Sequence, residues 1–141
     1  MSVMSLSPNF AEFIGFRSES ELDLAEMVEK GLPMEILTLL RTKGLSFSEI
    51  AELVVSPRTL QHRRSKGLNH LTPGEADRAI RIARILAQTE QVFGEREKAL
   101  EWLRTPDDQL NKRTAMSLLG TESGGRIVES MLWQVADGIY S

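Results

Sequence analysis

A chain of 141 residues, 41% hydrophobic and 26% charged, is composed like a globular protein and suits one domain or two small ones. It holds no cysteine, which excludes disulfides, thiol catalysis and cysteine-ligated zinc. No apolar run approaches the roughly 20 residues of a membrane span. The opening MSVMSLSPNF lacks the basic start and apolar core of a signal peptide, so a cytoplasmic location is expected. The net charge of −3 is unevenly spread: residues 1–35 carry seven acids against two bases, 36–87 four against nine, and 88–141 nine against six.

Residues 1–17 bring Phe10, Phe13, Ile14 and Phe16 close together and read either as an arm or as a segment that orders against a partner. Ser18 to Lys30 is expected to be helical, with Leu22, Ala25, Met27 and Val28 apolar and Gly31 as its stop. A second helix follows Pro33 through Ile36, Leu37, Leu39 and Leu40 and stops at Gly44. Two short helices come next, making a four-helix unit. Ser46 and Glu49 have capping-box spacing before Ile50, Ala51, Leu53 and Val54. Ser56-Pro57 starts the other helix, with serine as N-cap and proline at the first helical position, and Gly67 ends it.

This pair has the layout of a helix-turn-helix, whose second helix enters the major groove of DNA. Between Leu53 and Gly74 there is no acidic residue, yet Arg58, Arg63, Arg64 and Lys66 lie there with both histidines, His62 and His70. At about 100° per residue, a helix with Leu60 inward points Arg58, His62 and Ser65 outward, with Thr59, Gln61 and Lys66 on the flanks. Ser56, Arg58, Thr59, Gln61, His62, Arg63, Arg64, Ser65 and Lys66 are therefore the candidate DNA contacts, able to meet phosphates and base edges. The bland alternative is a solvated cationic face. The turn Val54-Val55-Ser56 lacks glycine and is one residue shorter than the common spacing. So small a basic footprint implies few phosphate contacts per copy, which dimerisation on two half-sites would remedy.

Thr72-Pro73-Gly74-Glu75 combines a capping box with proline at the first helical position, and the helix is expected to run to Phe93 before Gly94. Arg78, Arg81 and Arg84 on it either extend the phosphate-contacting surface or pair with Glu75 and Asp77; pairing is preferred. Beyond it, Glu95 to Arg104 reads as a helix, Thr105 to Asp108 as a turn, and Thr114 to Leu119 as another helical turn or two. Glu122 to Asp137 forms the last helix, with Ile127, Val128, Met131, Leu132, Val135 and Ala136 on one wide apolar face. Trp133 sits away from that stripe's centre and is a candidate contact anchor. The final Gly138-Ile139-Tyr140-Ser141 is expected to be a tail that either folds back on its own core or plugs into another protein.

No catalytic constellation emerges. His62 and His70 have no carboxylate placed as a ligand or triad partner, and Gly120, Gly124 and Gly125 follow no strand that would make a phosphate loop. The chain is expected to be no enzyme and to need no cofactor or metal.

The segments VSPRTLQHR, LTPGEADRAIRIARILAQTEQVFG, ALEWLRTP, RTAMSLLGTESGGRIVESML and the terminal GIYS resemble, in that order, the Xre/ParS-type antitoxins of bacterial RES–Xre toxin–antitoxin pairs. The likeness covers roughly residues 31–141. It implies an all-α protein: an N-terminal arm (1–17), a helix-turn-helix and dimerisation domain (18–71), a long connecting helix (72–94) and a small C-terminal toxin-binding domain (95–141). It further implies a homodimer that represses its own operon at operator DNA and blocks the NAD pocket of a RES-domain toxin. Carried over from the family, Arg113, Thr114, Gly138, Ile139, Tyr140 and Ser141 are expected to face the toxin. Trp133, Gln134 and Asp137 join them from helix geometry. The alternative is a stand-alone helix-turn-helix regulator whose C-terminal helices dimerise or sense a ligand.

Overall fold

The computed structural model describes residues 20–140. The expectations for residues 1–17, for Ser18 at the first helix start and for Ser141 lie outside them. Ser20 opens the first helix, α1 (Glu21–Lys30), by accepting a hydrogen bond from the Asp23 amide at 3.0 Å. The following helices are α2 (Glu35–Thr42), α3 (Phe47–Leu53), α4 (Pro57–Ser65), α5 (Pro73–Phe93), α6 (Arg96–Arg104) and α7 (Glu122–Tyr140). Between α6 and α7 lies a two-stranded antiparallel pair, β1 (Pro106–Asp107) with β2 (Arg113–Thr114). The described residues divide into two compact units, 20–80 and 81–140, with the boundary inside α5.

In the first unit the apolar positions read from the sequence after Pro33 largely form the core, but in α1 the reading is corrected: Leu22 is 69% exposed, Ala25 is exposed too, and Leu24 is the buried residue. Leu24, Ile36, Leu37, Leu40, Leu45, Ile50, Leu53, Leu71, Ala76 and Ala79 are buried. One pairing was not legible. The stretch after α4 runs back along the α1–α2 connection, with Leu71 N–H donating to Leu32 O at 2.7 Å and Met34 N–H to Asn69 O at 2.9 Å. The approach is close enough that a Cβ on Gly31 would stand 2.8 Å from the Leu71 carbonyl oxygen. At φ +87° the position also suits glycine alone.

The second unit buries Ile82, Ile85, Leu86, Ala99, Leu103, Met116, Leu119, Val128, Leu132 and Ala136. Phe93 and Trp102 pack at 5.7 Å between ring centroids. Gly124 explains how α7 starts: a Cβ there would collide with the Leu118 carbonyl, so the helix enters at a distance only glycine permits. Three expectations need correction here. Residues 106–114, where only a turn at Thr105 to Asp108 was expected, form a small hairpin, whereas the helical turn expected over Thr114 to Leu119 is present as a 3-10 turn at Met116–Leu118. Ile127 is 46% exposed and so leaves the buried face of α7. The last helix continues three residues past Asp137, so the backbone of 138–140 is helical where a tail was expected. A cost of about 1 kcal/mol for glycine is too small for Gly138 to end a helix already anchored by Leu132 and Ala136. None of the described helices is long and apolar enough to cross a membrane.

Candidate functional site

The helix-turn-helix is built from α3 and α4. Both capping expectations hold. Ser46 accepts from the Glu49 amide at 3.1 Å while the Ser46 amide donates to Glu49 Oε1 at 2.8 Å. Ser56 caps α4 through the Thr59 amide at 3.2 Å, with Pro57 as its first helical residue. The turn needs no glycine. Val54 and Ser56 have negative φ, and Val54 and Val55 drop their side chains into the core, so β-branched residues fit it. Arg78 of α5 fastens the turn by donating to Val54 O at 2.8 and 3.2 Å.

Ser56, Arg58, Thr59, Gln61, His62, Arg64, Ser65 and Lys66 are all exposed on α4 or at its ends. Among the described residues, Arg58, Arg64 and Lys66 have no ion-pair partner. Arg63 is placed differently. It turns inward and meets Glu75 in a bidentate pair at 2.7 and 3.0 Å, with side chains only 15% and 8% exposed. The same guanidinium donates to His70 O at 3.3 Å. Glu75 also accepts from the Thr72 amide at 2.8 Å, closing the capping box of α5. Burial pushes the Glu75 carboxyl up, but the hydrogen bonds from Arg63 and Thr72 outweigh it and hold it below the usual carboxylate range. The hydrogen bond to Glu75 raises Arg63 in turn, against the lowering by burial. Glu75 thus pairs with Arg63, while Arg78 serves the turn. The sequence expectation that Glu75 serves the α5 arginines gives way, because Arg63 reaches it across a tertiary contact that helical spacing does not reveal.

In the second unit, Arg113 and Thr114 form β2. Arg113 is exposed and donates to Ser117 O at 3.3 Å. Thr114 accepts from the Ser117 amide at 3.2 Å. Asp107, which pairs with Arg113 across the hairpin, shares a small cleft of about 60 Å³ with Trp102, Leu110, Ala115 and Met131. The hairpin therefore lies beside the middle of α7. On α7, Trp133 is 37% exposed, and Gln134, Asp137 and Gly138 are also at the surface. With Ile127 they give that helix a solvent face of mixed apolar and polar character. Ile127 and the hairpin are the features sequence reading missed. The three- and seven-residue spacings of Ile127, Ser130 and Asp137, which put them on one helix face, were the available signal.

A helix-turn-helix whose second helix exposes Arg58 and Arg64, and a second helical unit carrying a partly apolar helix face, define a two-headed protein of the helix-turn-helix class. Residues 23–84 match the antitoxin Xre-like helix-turn-helix domain, and residues 88–138 match the antitoxin Xre/MbcA/ParS C-terminal toxin-binding domain. The chain belongs to the Xre antitoxin family. It is 34% identical over 119 residues to the antitoxin Xre of Pseudomonas putida, covering 84% of this chain and 74% of that protein. The antitoxin Xre proteins of Photorhabdus laumondii and Yersinia enterocolitica are 28% and 27% identical, covering 91% of this chain and 88% of each relative.

Proposed function

We propose that the chain neutralises a RES-domain, NAD-consuming toxin by covering its NAD pocket with the second unit, and represses its own operon as a homodimer reading operator DNA through α4. The observation that carries the reading is the separation of two binding surfaces of different chemistry. On α4, exposed Arg58, Arg64 and Lys66 with Gln61 and His62 suit a phosphate backbone and base edges. On α7, Trp133 and Ile127 flanking Gln134 and Asp137 suit a protein partner, where buried aromatic anchors carry most of the affinity. Arg113 and Thr114 of β2 and residues 138–141 complete the proposed toxin-facing set. Arg63 supports the DNA surface from behind through Glu75.

The test is co-expression of the chain with the toxin of its own operon. Growth is restored by the full chain and lost when residues 138–141 are deleted. Rescue and complex formation that survive the deletion refute the role given to the end of α7.

A further inference from the structure

Within the first unit, α2, α3 and the start of α4 enclose an open groove of about 340 Å³, in the size range of ligand and peptide sites. Its floor is apolar, made by Leu37, Ile50, Ala51, Val55 and Leu60. Phe47 stands at the rim 73% exposed, under the Arg41 guanidinium, which sits 3.6 Å from the ring centroid. Among the described residues lining the groove, Arg41 and Arg64 hold the only charges. An apolar floor under a cationic rim fits a helix that presents apolar anchors beside carboxylates. The same unit carries such a helix. On α1, Leu22, Ala25, Glu26 and Glu29 are all exposed. They stand at i, i+3, i+4 and i+7 and so share one face, the spacing by which helices seat in grooves. Leu24 points the other way, into the core, so α1 presents that face without leaving its own unit. Among the described residues no cation pairs with Glu26 or Glu29.

We infer that the exposed face of α1 seats in the groove of a second copy of this chain, with Leu22 and Ala25 toward the floor and Glu26 and Glu29 toward the rim arginines. This contact is the interface of the homodimer proposed above and rests on that proposal. The charges are complementary, acidic on the helix and cationic on the rim. Like charges disfavour the other symmetric pairings: two α1 helices face to face would oppose their glutamates, and two grooves their arginines. Phe47 supplies an aromatic anchor at the rim, which Leu22 shields from water. Because α1 and the groove lie in one unit, a two-fold axis brings each copy's helix to the other's groove, and the contact is made twice. It covers Leu60 on the inward side of α4 and leaves Arg58 and His62 on the outward side for DNA.

The absence of native cysteine gives a direct test with single-cysteine variants of the full chain. A tagged Ala25→Cys chain is mixed with an untagged Thr38→Cys chain, Thr38 lying at the exposed edge of the groove. In the control its partner is His62→Cys, on the outward face of α4. Each mixture is treated with a short bis-maleimide, and the tagged–untagged product is resolved by denaturing electrophoresis and peptide mapping. The expected result is a mixed cross-link at least five-fold more abundant with Thr38→Cys than with His62→Cys, and reduced to the control level by Leu22→Asp in both chains. Because Leu22 is exposed in its own unit, Leu22→Asp should leave the circular dichroism unchanged while raising the dimer dissociation constant in sedimentation about ten-fold or more. A dimer that gives equal yields, or that Leu22→Asp leaves intact, would overturn this contact and leave the homodimer standing. A chain that stays monomeric would overturn both.

Discussion

At the residue scale, Glu75 decides which of the cations near α4 are available to a ligand. By holding Arg63 it removes one cation from the exposed set and ties the end of α4 to the start of α5. Because folding lowers the Glu75 pKa, its contribution is fully present above the unfolded carboxylate value of about 4.3 and disappears as pH falls through the lower folded value. Glu75→Gln should cost about 2 kcal/mol near pH 7, and the gap to the parent chain should close toward acid in urea titrations. A gap independent of pH would deny the ion pair its role. Arg58→Ala should weaken operator binding and reduce the salt slope by about 1. Arg63→Ala should instead lower stability, with the slope unchanged once the chain is folded. In the hairpin, Asn111 and Lys112 hold φ of +56° and +66°, which L-residues avoid. Lys112→Gly should therefore raise the unfolding free energy by about 0.5–1 kcal/mol, read by denaturant midpoint.

At the element scale, the seven described α-helices were legible because caps, prolines and glycines punctuate them, while the 3-10 turn Asp108–Leu110 was not. Ser46, Ser56 and Thr72 each make the amide hydrogen bond that their positions foretold, while the cap at Ser20 falls two residues inside the expected helix. What escaped were features set by neighbours. The Arg63–Glu75 pair joins residues 12 apart, and the β1–β2 hairpin has two-residue strands with no alternation to read. The exposure of Ile127 depends on which turn of α7 faces the rest of its unit. For α7, Trp133→Ala should weaken toxin binding about 30-fold or more, the loss expected of a hot-spot aromatic near 2 kcal/mol. Helix content by circular dichroism should stay unchanged, since Val128, Leu132 and Ala136 carry the buried face. An unaltered affinity would place the toxin contact elsewhere.

At the scale of the whole molecule, a net charge of −3 conceals a cationic helix, and an acidic chain can therefore still address nucleic acid. The helix-turn-helix lies in one compact unit and the toxin-binding family match lies wholly in the other. Two binding tasks can thus be lost one at a time. The most direct measurement is growth rescue against the co-expressed toxin by two variants that fold normally. An Arg58→Ala, Lys66→Ala double variant should rescue as well as the parent chain, while Trp133→Ala should fail at matched expression. Loss of rescue in the cationic variant, or full rescue by the tryptophan variant, would contradict the division between α4 and α7.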